Sequence, residues 1–232
     1  MRFPKFIPTL TLSSEEEAQQ VMSILSQSSC DCIEVTLRDG VSINAINYLS
    51  NSHELNVGLG TVYHPDQLDG IEMDRIKFIV SPGFSLEILE FSQHEAITYI
   101  PGVETASEII RAVNNNLNVL KFFPAETIGG ISKLQAFASV FPDVKFLCTG
   151  GISTDNYKEY LLQENVISLG GSFVLPRKLL DQDLNLAIDH LKNLQPKKNR
   201  AEALSSNPSF EGVLSEILLS SLRILSFPLG GL

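Results

Sequence analysis

The stretch "VLKFFPAETIGG", residues 119–130, holds a strand, its stop and a loosened turn. Val119, Leu120, Phe122 and Phe123 are residues of a strand covered on both faces, as in a parallel sheet flanked by helices. Pro124 ends the run, and Gly129-Gly130 free the chain beyond it. Lys121 sits inside that run. An ammonium buried there costs several kcal/mol by rough estimate unless it is paired or gives up its proton. Lys121 therefore either reaches a rim or is kept for its chemistry.

Working outward, short apolar or β-branched runs recur about every 20 to 25 residues, the spacing of repeated strand-helix units. They are "FIPTLTL" (6–12), "CIEVTL" (32–37), "LNVGLGTV" (55–62), "KFIVSP" (77–82), "ITYIPGV" (97–103), "VLKFFPA" (119–125), "VKFLCTG" (144–150) and "VISLGGSF" (166–173). The segments between them are amphipathic and carry helix-start signals: Ser14 with Glu17, and Thr105 with Glu108, have capping-box spacing. Eight alternations of strand and helix predict a (β/α)8 TIM barrel over residues 1–195. No G-x-G-x-x-G follows the first strand, which disfavours an open dinucleotide-binding sheet.

From residue 196 the text changes. "PKKNRAEALSSNPS" reads as a polar linker, and "FEGVLSEILLSSLRILSFPLGGL" as an apolar C-terminal extension, predicted to be helical. Glu216, Arg223 and Pro228 interrupt it, so a helix packed on the barrel or a partner is expected rather than a membrane span.

Composition narrows the function. The 232 residues carry a formal net charge of −10 with no basic block longer than "KK", which argues against a nucleic-acid partner. The amino terminus, broken by Pro4 and Pro8 and running into three glutamates, fits no signal or transit peptide, so the cytoplasm is the expected compartment. Cys30, Cys32 and Cys148 form no metal or disulfide framework and read as buried thiols. His53, His64, His94 and His190 lack ligand spacing, so neither a metal nor another cofactor is expected.

In this barrel the reacting groups sit at the carboxyl ends of the strands. Strand alternation puts Glu34, Thr36 and Arg38 of "CIEVTLRDG" on one face, and Lys121 with Phe123 on one face of its own strand. If both faces are the lumen, Glu34 and Lys121 meet. That pairing alone suits a structural ion pair, and Glu126 is another carboxylate within Lys121's reach. A lysine taken out of water is equally a nucleophile toward carbonyls. The glycine pairs in "CTGGIS" (148–153) and "LGGSF" (169–173) favour the chemical reading, since the loops after strands seven and eight form the usual phosphate cradle of this fold.

The set "EVTLR", "VGLGTV", "SPG", "PGVET", "KFFPAE", "TGGIS" and "LGGSF", in this order and spacing, resembles the 2-dehydro-3-deoxy-6-phosphogluconate / 4-hydroxy-2-oxoglutarate aldolase family over residues 5–195. Two departures stand out: Leu59 where the family commonly has alanine, and the segment after 195. The resemblance implies Lys121 as the Schiff-base lysine and Glu34 as the acid/base carboxylate, with Arg38 and Thr61 on the pyruvate carboxylate. Thr149, Gly150, Gly151, Gly171 and Ser172 would surround a distal phosphate, with no metal position. It further implies a class I lyase that releases pyruvate from a phosphorylated 2-keto-3-deoxy sugar acid, works as a homotrimer and serves sugar-acid breakdown (the Entner-Doudoroff route). Left open are the phosphogalactonate epimer as substrate, a non-catalytic phosphate-binding barrel acting through its apolar tail, and a metal-dependent aldolase.

Overall fold

The computed structural model describes residues 2–194, which fall within one compact unit. The linker and helical extension expected over 196–232 lie outside the described residues. Nine parallel strands form the sheet: β1 (Phe6–Leu10), β2 (Cys32–Thr36), β3 (Asn56–Gly60), β4 (Phe78–Val80), β5 (Thr98–Ile100), β6 (Gly102–Val103), β7 (Val119–Phe122), β8 (Lys145–Cys148) and β9 (Val166–Gly171). Their order is β5-β4-β3-β2-β1-β9-β8-β7-β6. Every one of the eight runs read from the sequence contains a strand, and the fifth contains two.

The division falls at Pro101. A proline offers no N–H to the ladder, and here the strand changes partners: β5 pairs with β4, β6 with β7. The ring therefore closes through the chain itself, giving the expected α/β barrel with its fifth position split. Closure is tight at Gly102, whose neighbour in register is Lys121.

The helices are α1 (Glu15–Gln27), α2 (Ile43–Ser50), α3 (Leu86–His94), α4 (Ala106–Val113), α5 (Gly130–Val140), α6 (Tyr157–Leu161), α7 (Arg177–Gln182) and α8 (Leu184–Leu194). The alternation is imperfect. Between β3 and β4 the chain makes two 3-10 turns, Pro65–Leu68 and Met73–Arg75, instead of an α-helix, and after β9 it makes two α-helices. Pro65, Gly70 and three aspartates in that first connection explain the difference, since none is a good helix former. Thr105 and Glu108 form the expected capping box. At α1 Ser14 accepts from the Glu17 amide, while the Glu17 carboxylate accepts from the Ser13 amide at 2.7 Å.

Two apolar clusters divide the sheet's faces. The larger joins outward strand residues such as Ile33, Val57, Ile79, Leu120 and Phe146 to the helices. The smaller fills the lumen with Ile7, Cys32, Phe78, Val80, Ile100 and Leu147, so the barrel's lower interior is packed apolar material. Phe78 fits because β3 has Gly58 there, where a Cβ would lie 2.2 Å from the Phe78 ring. A register shift at Phe146/Leu147 pairs Phe146 with Val166 but Leu147 with Ser168, adding one residue to β9. That bulge puts Ser168 and Gly170 on the lumen side, whereas strict alternation from Val166 would send them there only by turning Val166 inward.

Among the described residues no helix is long and apolar enough to cross a membrane.

Barrel closure should depend on the missing side chain of Gly102. A Cβ there would lie 2.1 Å from the Pro82 carbonyl oxygen, a backbone atom that cannot rotate away. Gly102→Ala is expected to lose about 1–3 kcal/mol in thermal or denaturant unfolding, the usual cost of overpacking. Gly83→Ala, with nothing within 4 Å, should stay within about 0.5 kcal/mol of the parent; equal stability of the two variants would refute the closure argument.

Candidate active site

Above the apolar floor the lumen turns polar. Thr9 is in register with Glu34, and Lys121 with Leu147, so these side chains project to the same interior from β1, β2, β7 and β8. Thr9, Glu34 and Lys121 open into a cavity of about 350 Å³ lined from the carboxyl ends of β1, β2, β7, β8 and β9.

Lys121 and Glu34 meet there. Lys121 Nζ lies 3.6 Å from Glu34 Oε1, with side chains 8% and 1% exposed. The ammonium also sits 4.8 Å from the centroid of the Phe123 ring, a favourable cation–π position. Lys121 thus neither snorkels to the rim nor turns to Glu126, whose carboxylate instead accepts from the Tyr160 hydroxyl. Burial first, and then that bond to Glu126, holds the Tyr160 phenol far above its usual range.

Glu34 has room because β3 ends in glycine. A Cβ on Gly60 would lie 2.1 Å from Glu34 Oε1 and 2.7 Å from Cδ. The carboxylate therefore lies across the place where any other residue would put its side chain. Both Glu34 oxygens, Thr9 Oγ1, Thr149 Oγ1 and Ser168 Oγ are buried without a hydrogen-bond partner. Buried polar atoms are nearly always paired, and each one left over costs about 1–3 kcal/mol. Their concentration around one lumen marks the cavity as a place built to receive a polar molecule. Thr36 differs, because its hydroxyl is engaged by Thr11 Oγ1 at 2.6 Å and the Leu10 carbonyl at 3.3 Å.

The glycine loops form the rim. Gly150 (φ +94°) and Gly151 (φ +81°) adopt backbone conformations open to glycine. They are braced from behind: the Glu126 amide donates to the Gly150 carbonyl at 3.0 Å, and a Cβ on Gly151 would lie 2.6 Å from the Glu126 Cβ. Gly171, the last residue of β9, and Ser172 just after it line the same opening.

Of the residues singled out from the sequence, Lys121, Glu34, Arg38, Thr149, Gly150, Gly151, Gly171 and Ser172 all line this one cavity. Thr61 does not. It follows β3 in a left-handed conformation (φ +63°), and its carbonyl accepts from the Gln67 side chain at 3.0 Å. Alternation cannot be extended past a strand end that turns in this way. Sequence reasoning also passed over Thr9, Thr11 and Arg177, which line the cavity too. Thr9 and Thr11 carried the same two-residue period that found Glu34, whereas nothing local marked Arg177.

The similarity to known proteins extends over the part of the chain that holds this cavity. A family model described as "Aldolase: KDPG and KHG aldolase" matches residues 1–191. The chain is 35% identical over 182 residues to the 2-dehydro-3-deoxy-phosphogluconate aldolase of Pseudomonas aeruginosa, covering 78% of this chain and 83% of that one. It is 36% identical over 176 residues to the KHG/KDPG aldolase of Escherichia coli K12, covering 75% and 83%. A KDPG aldolase structure from Legionella pneumophila, with pyruvate captured at low pH as a covalent carbinolamine intermediate, superposes with a TM-score of 0.78 at 35% identity, covering 83% of this chain and 95% of the other.

The Gly60 contact gives the site its own structural test. Gly60→Ala should drive the Glu34 carboxylate away from Lys121 and cost about 1–3 kcal/mol of stability. A crystal structure of the variant with the Nζ–Oε1 distance unchanged from 3.6 Å would show that Gly60 does not set the carboxylate's position.

Proposed function

This chain belongs to the KDPG and KHG aldolase family, and from that premise we propose that it cleaves 2-dehydro-3-deoxy-6-phosphogluconate to pyruvate and glyceraldehyde 3-phosphate through a Schiff base on Lys121. The same route splits 4-hydroxy-2-oxoglutarate into pyruvate and glyoxylate. The observation that carries the proposal is the buried Lys121–Glu34 pair, 3.6 Å apart in a cavity large enough for a six-carbon sugar acid. The carbinolamine captured in the Legionella pneumophila enzyme supports a covalent amine adduct as the first step.

The chemistry follows from the two groups. Glu34 takes a proton from the Lys121 ammonium, the neutral amine adds to the C2 carbonyl, and the carbinolamine, given that proton at its hydroxyl, loses water to leave a protonated imine. Glu34, the only carboxylate lining the cavity among the described residues, moves the protons of that dehydration. It then takes the C4 hydroxyl proton, directly or through water, as the C3–C4 bond breaks. The bonding pair flows into the imine, the aldehyde leaves and an enamine remains. A proton returned to C3 restores the imine, and water releases pyruvate and the free amine.

Arg38, two residues past the open end of the strand that carries Glu34, is the proposed partner of the substrate carboxylate, for which a guanidinium fork suits both oxygens. Thr61, just past β3, is proposed as the second group on that carboxylate, although it does not line the cavity. Thr149, Gly150, Gly151, Gly171 and Ser172 are assigned to the distal phosphate, with backbone N–H groups and two hydroxyls as donors.

Incubation with pyruvate and borohydride should fix one reduced pyruvate per chain at Lys121, located by peptide mass mapping. Labelling of Lys133 or Lys145 with Lys121 untouched would overturn the assignment. Glu34→Gln should lower kcat by roughly 10²- to 10⁴-fold, the usual worth of a positioned acid/base, with a circular dichroism spectrum like the parent's. A near-parental rate would remove Glu34 from the mechanism.

A further inference from the structure

We propose that Arg177 supplies the positive charge of the distal-phosphate subsite, a role that rests on the reading of this cavity as a phosphosugar-aldolase site. Neither glycine loop, "CTGGIS" or "LGGSF", contains a lysine or arginine. Backbone N–H groups and the Thr149 and Ser172 hydroxyls, dipoles without a full charge, would have to hold a group that carries about two negative charges near neutral pH. Arg177, at the start of α7, reaches the same cavity as Gly150, Gly151, Gly171 and Ser172 and brings it a full charge.

Its guanidinium is fixed at two points. Nη1 pairs with the Glu17 carboxylate of α1, and Nη2 donates to the Thr11 carbonyl at the end of β1 at 2.5 Å. Thr11 is tied in turn to Thr36 on β2. No other hydrogen bond to this guanidinium occurs among the described residues, so Nε–H and a second N–H on each terminal nitrogen remain for a ligand. The charge of Glu17 is not spent on Arg177 alone, since its other oxygen accepts from the Ser13 amide at 2.7 Å and the Ser13 hydroxyl at 3.0 Å. The result is a guanidinium held over the junction of β1 and β9, where the loop carrying Gly171 and Ser172 begins.

A plainer role is possible for the same atoms: an ion pair that ties α7 to α1. With side chains 47% and 13% exposed, such a pair contributes little stability. It would also have no need of the Thr11 carbonyl, which pins the group at the cavity wall rather than between the two helices. The two roles differ in what Glu17 does. A broken tie costs activity on both substrates alike, whichever partner is removed, whereas a lost clamp costs it on the phosphorylated substrate, and removing Glu17 only loosens the clamp.

The test uses the full-length chain and both substrates. Arg177→Met keeps the apolar stem and removes the charge. It should lower the ratio of kcat/KM on the phosphorylated substrate to kcat/KM on 4-hydroxy-2-oxoglutarate by roughly 10- to 100-fold, the worth of a charge-assisted hydrogen bond, mostly through KM. Inhibition by inorganic phosphate should weaken in parallel, Arg177→Lys should recover part of the ratio, and Glu17→Gln, which keeps the cation but loosens its hold, should lower the ratio less than Arg177→Met does. Equal losses on both substrates would make Arg177 a structural tie and overturn the proposal. An unchanged ratio in Arg177→Met, in an enzyme whose parent cleaves the phosphorylated substrate well, would overturn it while leaving the substrate reading intact. A parent that cleaves 4-hydroxy-2-oxoglutarate but not the phosphorylated acid would remove the substrate reading and this role together.

Discussion

The contact between the Lys121 ammonium and the Glu34 carboxylate constrains more of this molecule than any other. Two charges at 3.6 Å and almost wholly out of water are held only if each compensates the other, because the desolvation of either alone costs several kcal/mol. Pairing does not complete the account. Neither carboxylate oxygen has a hydrogen bond, so the pair is electrostatically matched but chemically unsatisfied. A purely structural ion pair would recruit donors, and Thr9 and Thr149 stand near with free hydroxyls. The lumen instead keeps several unmet groups around one opening, an arrangement whose cost is recovered when a polar molecule enters.

Steric demands follow from that pair. Glu34 can lie inward only because Gly60 leaves space across β3. Lys121 can face the lumen only because β7 is a parallel strand whose alternate residues, Leu120 and Phe122, pack against the helices. Beneath them Phe78 and Leu147 fill the interior, so the charged layer rests on a dry floor rather than on water. A lysine and a carboxylate in a solvated pocket would lose much of their mutual attraction to screening and to conformational freedom. The barrel therefore does more than bring the two residues together: it holds them where proton exchange between them is short and solvent competition is weak.

The sequence carried the barrel and its reacting pair because both obey local periodicities. Strand runs separated by amphipathic segments expose the repeat, and the two-residue period places Glu34 and Lys121 inside. Where local rules stop, legibility stops. Pro101 was visible in "ITYIPGV", yet only the closed ring shows that the chain changes strand partners there. Thr61 belonged to the resemblance, but its left-handed backbone ends the alternation that would aim it inward. Arg177 is 166 residues from its Thr11 partner, and no pattern within a window of helix or strand length connects the two. Gly60 looked like one of several glycines in "VGLGTV"; its purpose is set by a side chain on the neighbouring strand.

The glycine loops answer to two demands at once, and this bears on how their role can be separated. Gly151 must leave room for Glu126, which is anchored by Tyr160, and must adopt a positive φ. Any side chain there disturbs packing behind the loop before it obstructs a ligand in front. Loss of activity on replacing Gly151 would therefore not distinguish a phosphate cradle from a braced turn. Ser172 and Arg177 carry no such double constraint, since both are exposed at the rim. Exposure also limits what a cation there can do in the empty site, where water screens it. A substrate that fills the cavity displaces that water and strengthens the same charge-assisted bonds. Under the proposed function, selectivity for a substrate that carries a phosphate beside its carboxylate would arise at the rim, while the buried pair below would act on the 2-keto group that both candidate substrates share.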